Sequence, residues 1–420
     1  MKKPLVVGLL LAATSLTGAL LPASASESAK TESTKLEHVV LMMRHSVRPP
    51  TKADVTPPGW AAQPWSKWST PYGELTPHGM AGAKLMGEYD RAAYAGRGLF
   101  AASGCPQAGD VAVWASWKQR AIETAKNYVE GMFPKCDITV DHPTSEETDV
   151  VFHPSGPDLK IDGAKALAET EKRLPPGGLK AVHASHEADF KTLQRVLGTP
   201  DKCAAPNCQL IDLPSHLKAV PDDGVDLAGA LGVASTAGVT VLLEYLEGKP
   251  MSEVGWGRAT KEDLTSLLKF HPTKFYYESR TPYVAVRAAA PIARRILSAL
   301  KNEDAKKLTL LVGHDTNIAH LSGMLDLHWQ VAEYPADEPP PGGAVGFELL
   351  REPSGKHLVR AFYQAQSMDQ LRNLTPLTAA NAPARVYIPI PECTGTSNDA
   401  CPLDRFEQIV QAKLKSAATP

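Results

Sequence analysis

Five consecutive apolar residues, Val39-Val40-Leu41-Met42-Met43, run straight into Arg44-His45-Ser46-Val47-Arg48-Pro49-Pro50-Thr51-Lys52. The run is short and uninterrupted, which predicts a strand over 38–43 buried on both faces. Strands of that kind belong to α/β sheets, which deliver ligand groups just past their carboxyl ends. Here the strand end delivers charge. Arg44, Arg48 and Lys52 set three permanent positive charges around the imidazole of His45. Guanidinium forks suit a phosphate or a carboxylate, which they bind bidentately. The imidazole among them fits three roles: nucleophile, general acid or anion ligand. Read alone, the cluster also fits a basic loop after an edge strand. Pro49-Pro50 stiffens the exit and argues for a defined loop.

The same arrangement recurs twice. Asp110 to Ala115 reads as a strand, followed by Ser116-Trp117-Lys118-Gln119-Arg120 and a helix through Tyr128. Leu308 to Val312 reads as another, ending in Gly313-His314-Asp315-Thr316-Asn317 before a further helix. Right-handed crossovers in a parallel sheet would put all three strand ends on one edge. Taken singly, a His-Asp pair is often a structural hydrogen bond, and an arginine opening a helix is often a surface residue. Thr316 or Asn317 could simply cap a helix. The repeated location carries the argument.

Elsewhere Leu75 to Tyr94 reads as a helix capped by Thr76 with Pro77 in its first turn. Further helices are predicted at 179–197, 225–247, 261–269, 281–301 and 404–415. Ile138 to Val140 reads as a strand, and Val345–Leu350 with His357–Tyr363 as a hairpin after the turn 337–343. Strand signals thin out between 143 and 260. The expected organisation is an export signal over 1–25, a polar leader over 26–37, an α/β domain from 38–142 and 261–420, and an α-helical cap from 143–260. Trp60, Trp65 and Trp68 either line a pocket wall or pack beneath their loop.

Lys2 and Lys3, the apolar stretch Leu5 to Leu21 and Ala23-Ser24-Ala25 form a cleavable export signal. A periplasmic or secreted location is therefore expected, with no membrane attachment after cleavage. Loss of that segment removes two of the 44 basic side chains, leaving 42 against 46 acidic ones. A net charge of −4 gives no general attraction to nucleic acid or to an anionic membrane, so anion binding must be local. Six cysteines in an exported chain favour disulfides, and their spacing suggests Cys105 with Cys136, Cys203 with Cys208, and Cys393 with Cys401. Six cysteines allow 15 pairings, so spacing alone does not fix the connectivity.

The three strand ends make chemical sense for phosphoryl transfer. One imidazole attacks phosphorus, and arginines neutralise the equatorial oxygens. A carboxylic acid protonates the leaving oxygen, then deprotonates the water that hydrolyses the phosphohistidine. The arginines supply the positive charge, so no metal or other cofactor is expected.

The Arg44–Lys52 run and Gly313-His314-Asp315-Thr316-Asn317 together resemble the histidine acid phosphatase family, in its bacterial periplasmic branch of phytases and glucose-1-phosphatases. Leu75-Thr76-Pro77-His78-Gly79, Gly255-Trp256-Gly257-Arg258 and Pro340-Pro341-Gly342-Gly343 extend the likeness from about Glu37 to the C-terminus. The resemblance implies a phosphoglycerate-mutase-like α/β domain with a central, mostly parallel sheet flanked by helices, plus a smaller inserted α-helical domain. It also implies His45 as nucleophile, Asp315 as proton donor, and Arg44, Arg48, Arg120 and His314 as phosphate ligands. Thr51 and Lys52 match positions that contact the rest of a polyphosphorylated substrate. The three cysteine pairs match disulfides of that branch. Two residues depart from the pattern: Ser46 stands where the usual motif has glycine, and Val239 where related chains often carry glutamate. A monomer acting on phosphate esters is expected, with phytate first among substrates. Glucose-1-phosphatase or broad acid phosphatase activity is the alternative. A phosphate-ester binding protein without turnover and a mutase-like transferase are further alternatives.

Overall fold

The computed structural model describes residues 1, 34–53, 55–154, 159–201, 209–303, 305–393 and 399–417. Nearly all of the export segment and leader, and the Cys203–Cys208 pair, lie outside the described residues. Nine strands are present among those described: β1 (Lys35–Arg44), β2 (Val111–Ala115), β3 (His216–Val220), β4 (Gly224–Ala228), β5 (Leu308–Gly313), β6 (Ala344–Arg351), β7 (His357–Ala365), β8 (Ala384–Ile388) and β9 (Ala400–Pro402). Seven form one mixed sheet in the order β2-β5-β1-β6-β7-β8, with β9 on β7. Its core is parallel: β1 and β2 both run alongside β5, from Val39 opposite Leu308 to Arg44 opposite Gly313. The remaining strands extend it antiparallel.

Burial explains why the sequence of β1 is apolar without alternation. Val39, Leu41 and Met43 pack with Met86 and Tyr94 of the helix Pro77–Gly96 and with Ala121 and Tyr128 of the helix Gln119–Met132. Val40 and Met42 point the other way, towards Ile292 and Ile296 of the helix Pro282–Lys301 and Leu321 of the helix Asp315–Leu325. The period-2 pleat thus feeds two separate layers. Each fully buried side chain of this size contributes about 1.5–3 kcal/mol. The parallel register brings the carboxyl ends of β1, β2 and β5 level, which positions everything that follows.

Several sequence expectations shift. The end of the predicted leader, 35–37, is already β1. Ile138 to Val140 forms no strand, because its side chains stay half-exposed and only Asp141 bridges Trp114. The helix expected over 225–247 begins later, as Ala230–Leu246, and 224–228 is a strand of the hairpin β3–β4. Gly229 makes the break, at φ 79° and so close to Pro214 that a Cβ would stand 2.0 Å from its carbonyl oxygen. The expected helix over 179–197 divides at His186 into Gly178–Ser185 and Glu187–Leu197. The tryptophans pack beneath their loop: Trp60 is buried, Trp65 lies against Trp256, and Trp68 sits under Lys249. Disulfides join Cys105 to Cys136 and Cys393 to Cys401. No helix among the described residues is long and apolar enough to cross a membrane.

The helices Pro77–Gly96 and Gln119–Met132 touch backbone to backbone. A Cβ on Gly87 would lie 2.0 Å from the carbonyl oxygen of Tyr128, and one on Gly131 2.1 Å from that of Lys84. Gly131→Ala is therefore expected to destabilise the protein by about 1–3 kcal/mol, measured by denaturant unfolding, because the two helices must move apart. The helix-propensity gain of alanine would win only if that contact were absent, and stability would then rise.

Candidate active site

The loop after β1 is pinned on every side. The His45 amide donates to Gly313 at the end of β5, the Gly342 amide donates back to the His45 carbonyl, and the Ser46 amide donates to Thr124 Oγ1 at 3.0 Å. Thr76 caps the helix Pro77–Gly96 and also donates its hydroxyl to Glu247 Oε2 at 2.7 Å, while its amide bonds the Val47 carbonyl. Ser46 has no positive φ, so a side chain costs no backbone strain where the usual motif has glycine. Its buried hydroxyl lies between Gly82 and Gly342.

His45 is fixed in one tautomer. Its Nδ1–H donates to the Ser46 carbonyl at 2.9 Å, which leaves a lone pair on Nε2. Arg48 Nε stands 3.4 Å from that nitrogen. The imidazole is buried and holds its pKa well below the ordinary histidine value, first through burial and then through Arg48 and Arg120. Its neutral form is therefore favoured, and the Nε2 lone pair accepts from Arg48 Nε–H.

Arg44 closes the other side. Its guanidinium is fully buried, 2.7 Å from Asp315 Oδ2 through Nη2, and donates through Nη1 to the Pro339 carbonyl at 2.5 Å. Burial raises the Asp315 carboxyl, but Arg44, His271 and Arg48 outweigh it and hold the group below the usual carboxylate range. Burial and then Arg120 push Arg48 down to about 9, still charged at neutral and acidic pH. Arg120 leans on the Gly73 carbonyl at 3.3 Å. His314 lies edge-on to His45 with ring centroids 5.6 Å apart, and burial followed by Arg120 keeps it neutral. Arg44 Nε, Arg120 Nε and His314 Nδ1 are buried without a hydrogen-bond partner. The orphaned guanidinium donors of Arg44 and Arg120 are costly unless an anion satisfies them.

All six residues expected from the three strand ends thus sit together. Thr51 and Lys52 stand farther out, exposed, on a cleft of about 190 Å³ that Arg48, Val239, Thr240, His271 and Asp315 also line. A larger cavity of about 650 Å³, around Val182, His186 and Tyr277, contains none of the strand-end residues.

Sequence reasoning missed the groups behind them. Glu338 is fully buried, 3.8 Å from Arg44 Nη1, and accepts from His271 Nδ1 at 2.9 Å. His271 Nε2 in turn lies 3.9 Å from Asp315 Oδ2. Glu338 had looked like a turn residue in 337–343; a carboxylate directly before a proline run that returns to the strand ends was the available clue. Behind His314, Ser116 gives its proton to Asp149 at 2.7 Å, so His314 Nε2–H donates to the Ser116 oxygen at 3.3 Å. His153 bonds the same Asp149 carboxylate at 3.1 Å.

Glu338 places a negative charge near Asp315 and shares Arg44 with it. Glu338→Gln should strengthen the hold of Arg44 on the Asp315 carboxylate and so lower the pKa of Asp315. For any reaction that needs Asp315 protonated, the alkaline limb of the kcat–pH profile should move roughly one unit to lower pH. An unchanged limb in a folded variant would remove Glu338 from this electrostatic balance.

Comparison with known proteins agrees with this geometry. The family profile "Histidine phosphatase superfamily (branch 2)" matches residues 35–160 and 239–364. Phytase AppA of Escherichia coli is 34% identical, over 93% of this chain and 94% of that protein. A glucose-1-phosphatase of Salmonella typhimurium is 30% identical, over 96% of this chain and 99% of that protein. The structure of a Hafnia alvei phytase in complex with myo-inositol hexakis sulphate superposes with a TM-score of 0.84 at 32% identity, covering 92% of this chain and 99% of that one.

Proposed function

The chain belongs to branch 2 of the histidine phosphatase superfamily, and on that premise we propose that it hydrolyses phosphomonoesters through a phosphohistidine on His45, with phytate its preferred substrate. The fixed tautomer of His45 carries the reading, because it aims an unprotonated Nε2 into a ring of guanidinium groups. Arg44, Arg48 and Arg120 hold the phosphoryl oxygens, with His314 beside them. His45 Nε2 attacks phosphorus as the P–O bond to the leaving group breaks, and Asp315 gives its proton to that oxygen. Water then attacks the phosphohistidine, Asp315 takes its proton, and the P–N bond breaks to release phosphate and neutral His45.

Asp315 is ionised in the ligand-free site, yet it must start protonated. The substrate supplies the correction. A phosphate anion between the guanidinium groups offsets the positive charge that depresses Asp315, and its own charge raises the carboxyl further. An acidic optimum follows, with His45 kept neutral by burial as the pH falls. Lys52 and Thr51 at the outer cleft suit the further phosphates of phytate, and relatives named phytases support the choice. Val239, Leu243 and Phe275 give the same cleft an apolar wall. That wall favours a second reading as a sugar-phosphate hydrolase, in line with the glucose-1-phosphatase relatives. The sequence pattern at 1–25 supports export to a periplasm or beyond the cell.

Steady-state kinetics on phytate, glucose 1-phosphate and p-nitrophenyl phosphate test the substrate reading, which expects the highest kcat/KM on phytate. A clear preference for glucose 1-phosphate would establish the second reading instead. Asp315→Asn should lower kcat on alkyl phosphates by about 10²–10⁴ and far less on p-nitrophenyl phosphate, whose leaving group departs without a proton. Equal losses on both would show that Asp315 does not donate it.

A further inference from the structure

One cation near the site takes no part in holding the reacting phosphate. Lys274 lies on the helix Phe270–Glu278, three residues after His271, and lines the same outer cleft as Thr51 and Lys52. It comes from an element remote in sequence from the loop that carries Lys52. The cleft wall also holds Val239, so no carboxylate at that position competes for a nearby cation. Lys274 is instead paired with Glu278, one turn along its helix, and with Asp226 of β4 at 3.3 Å.

We infer that Lys274 is a specificity-determining residue, whose ammonium binds a peripheral phosphate of a polyphosphorylated substrate while the reacting phosphate sits among Arg44, Arg48 and Arg120. The inference rests on the phytate reading above and assigns part of its selectivity. A sugar monophosphate has no second phosphate to offer and gains nothing from this residue. Phytate carries a phosphate on every ring carbon, so fixing one at the strand ends directs others at the cleft wall. The pairing of Lys274 is suited to release. Glu278 is largely enclosed and also accepts from the Leu227 amide. Burial pushes its carboxyl up to about 7, opposed by Lys274 and reinforced by Asp226, the charged groups that face it. In acid, Glu278 is neutral and the remaining counter-charge on Lys274 is Asp226, whose side chain is 46% exposed. The cation is then available to a ligand under the conditions in which Asp315 is protonated.

The test is kcat/KM for phytate and for p-nitrophenyl phosphate at about pH 5 in wild type, Lys274→Gln and Lys274→Arg. Lys274→Gln should lose about three- to tenfold more on phytate than on p-nitrophenyl phosphate, chiefly through KM, as expected for one partly solvated charge-assisted contact. Lys274→Arg should restore most of the phytate value. Equal losses on the two substrates, or no loss on phytate, would overturn the role of Lys274 and leave the phytate reading standing. A wild-type protein inert towards phytate would overturn both. Glu278→Gln supplies an independent arm, since removing the counter-charge should lower KM for phytate at neutral pH; a raised KM would count against the inference.

Discussion

The pairing of Arg44 with Asp315 is the contact on which the rest of the site depends. Arg44 ends β1, Asp315 opens the helix after β5, and the two meet at 2.7 Å with the guanidinium fully buried. A lone buried guanidinium would be untenable. This one is balanced by a second carboxylate, Glu338, and by the Pro339 carbonyl, both from the turn before β6. One side chain therefore ties three segments together, and loss of a partner in such a network typically costs about 3–5 kcal/mol. Parallel pairing of β1 with β5 makes the meeting possible, because it sets Arg44 beside Gly313.

The remaining charges form an incomplete balance. Arg48 and Arg120 add two more cations, while burial and those cations keep His45 and His314 neutral. Partnerless buried donors remain on Arg44 and Arg120. An anion completes both the hydrogen bonding and the charge. On the proposed mechanism the same field does three jobs at different stages: it draws in the phosphate, keeps the nucleophile unprotonated, and yields its hold on Asp315 once the phosphate arrives. Such preorganisation places the electrostatic cost in folding rather than in the chemical step.

Much of this was legible in the sequence because burial on both faces erases alternation. The largely apolar runs 39–43 and 308–312 read best as central strands, and the charged residues at their ends then emerge together. The helix start at Thr76-Pro77 also followed from a capping pattern, and the starts expected at 261 and 281 lie within one residue of those observed. Other features were hidden for physical reasons. Glu338 and His271 look ordinary in their own segments and acquire meaning only when tertiary packing sets them against Arg44 and Asp315. The hairpin β3–β4 was overlooked although Asp223-Gly224 is a turn signal, because the apolar run after it dominated the window. Ile138 to Val140 erred the other way, since β-branched residues without a buried face gain too little to extend a ladder. The glycine position occupied by Ser46 reads as a departure in sequence, yet its backbone conformation is open to any residue.

The central claim is covalent, so the most direct measurement is to trap the intermediate. The mature protein is mixed with phosphate-labelled substrate, quenched on the millisecond scale under denaturing alkaline conditions that preserve phosphohistidine, and mapped by peptide mass spectrometry. The account predicts one phosphoryl group on the peptide containing His45, bound to the imidazole, and none in a folded His45→Ala protein that has lost turnover. Full turnover in that variant, or label on a different residue in the wild type, would contradict it.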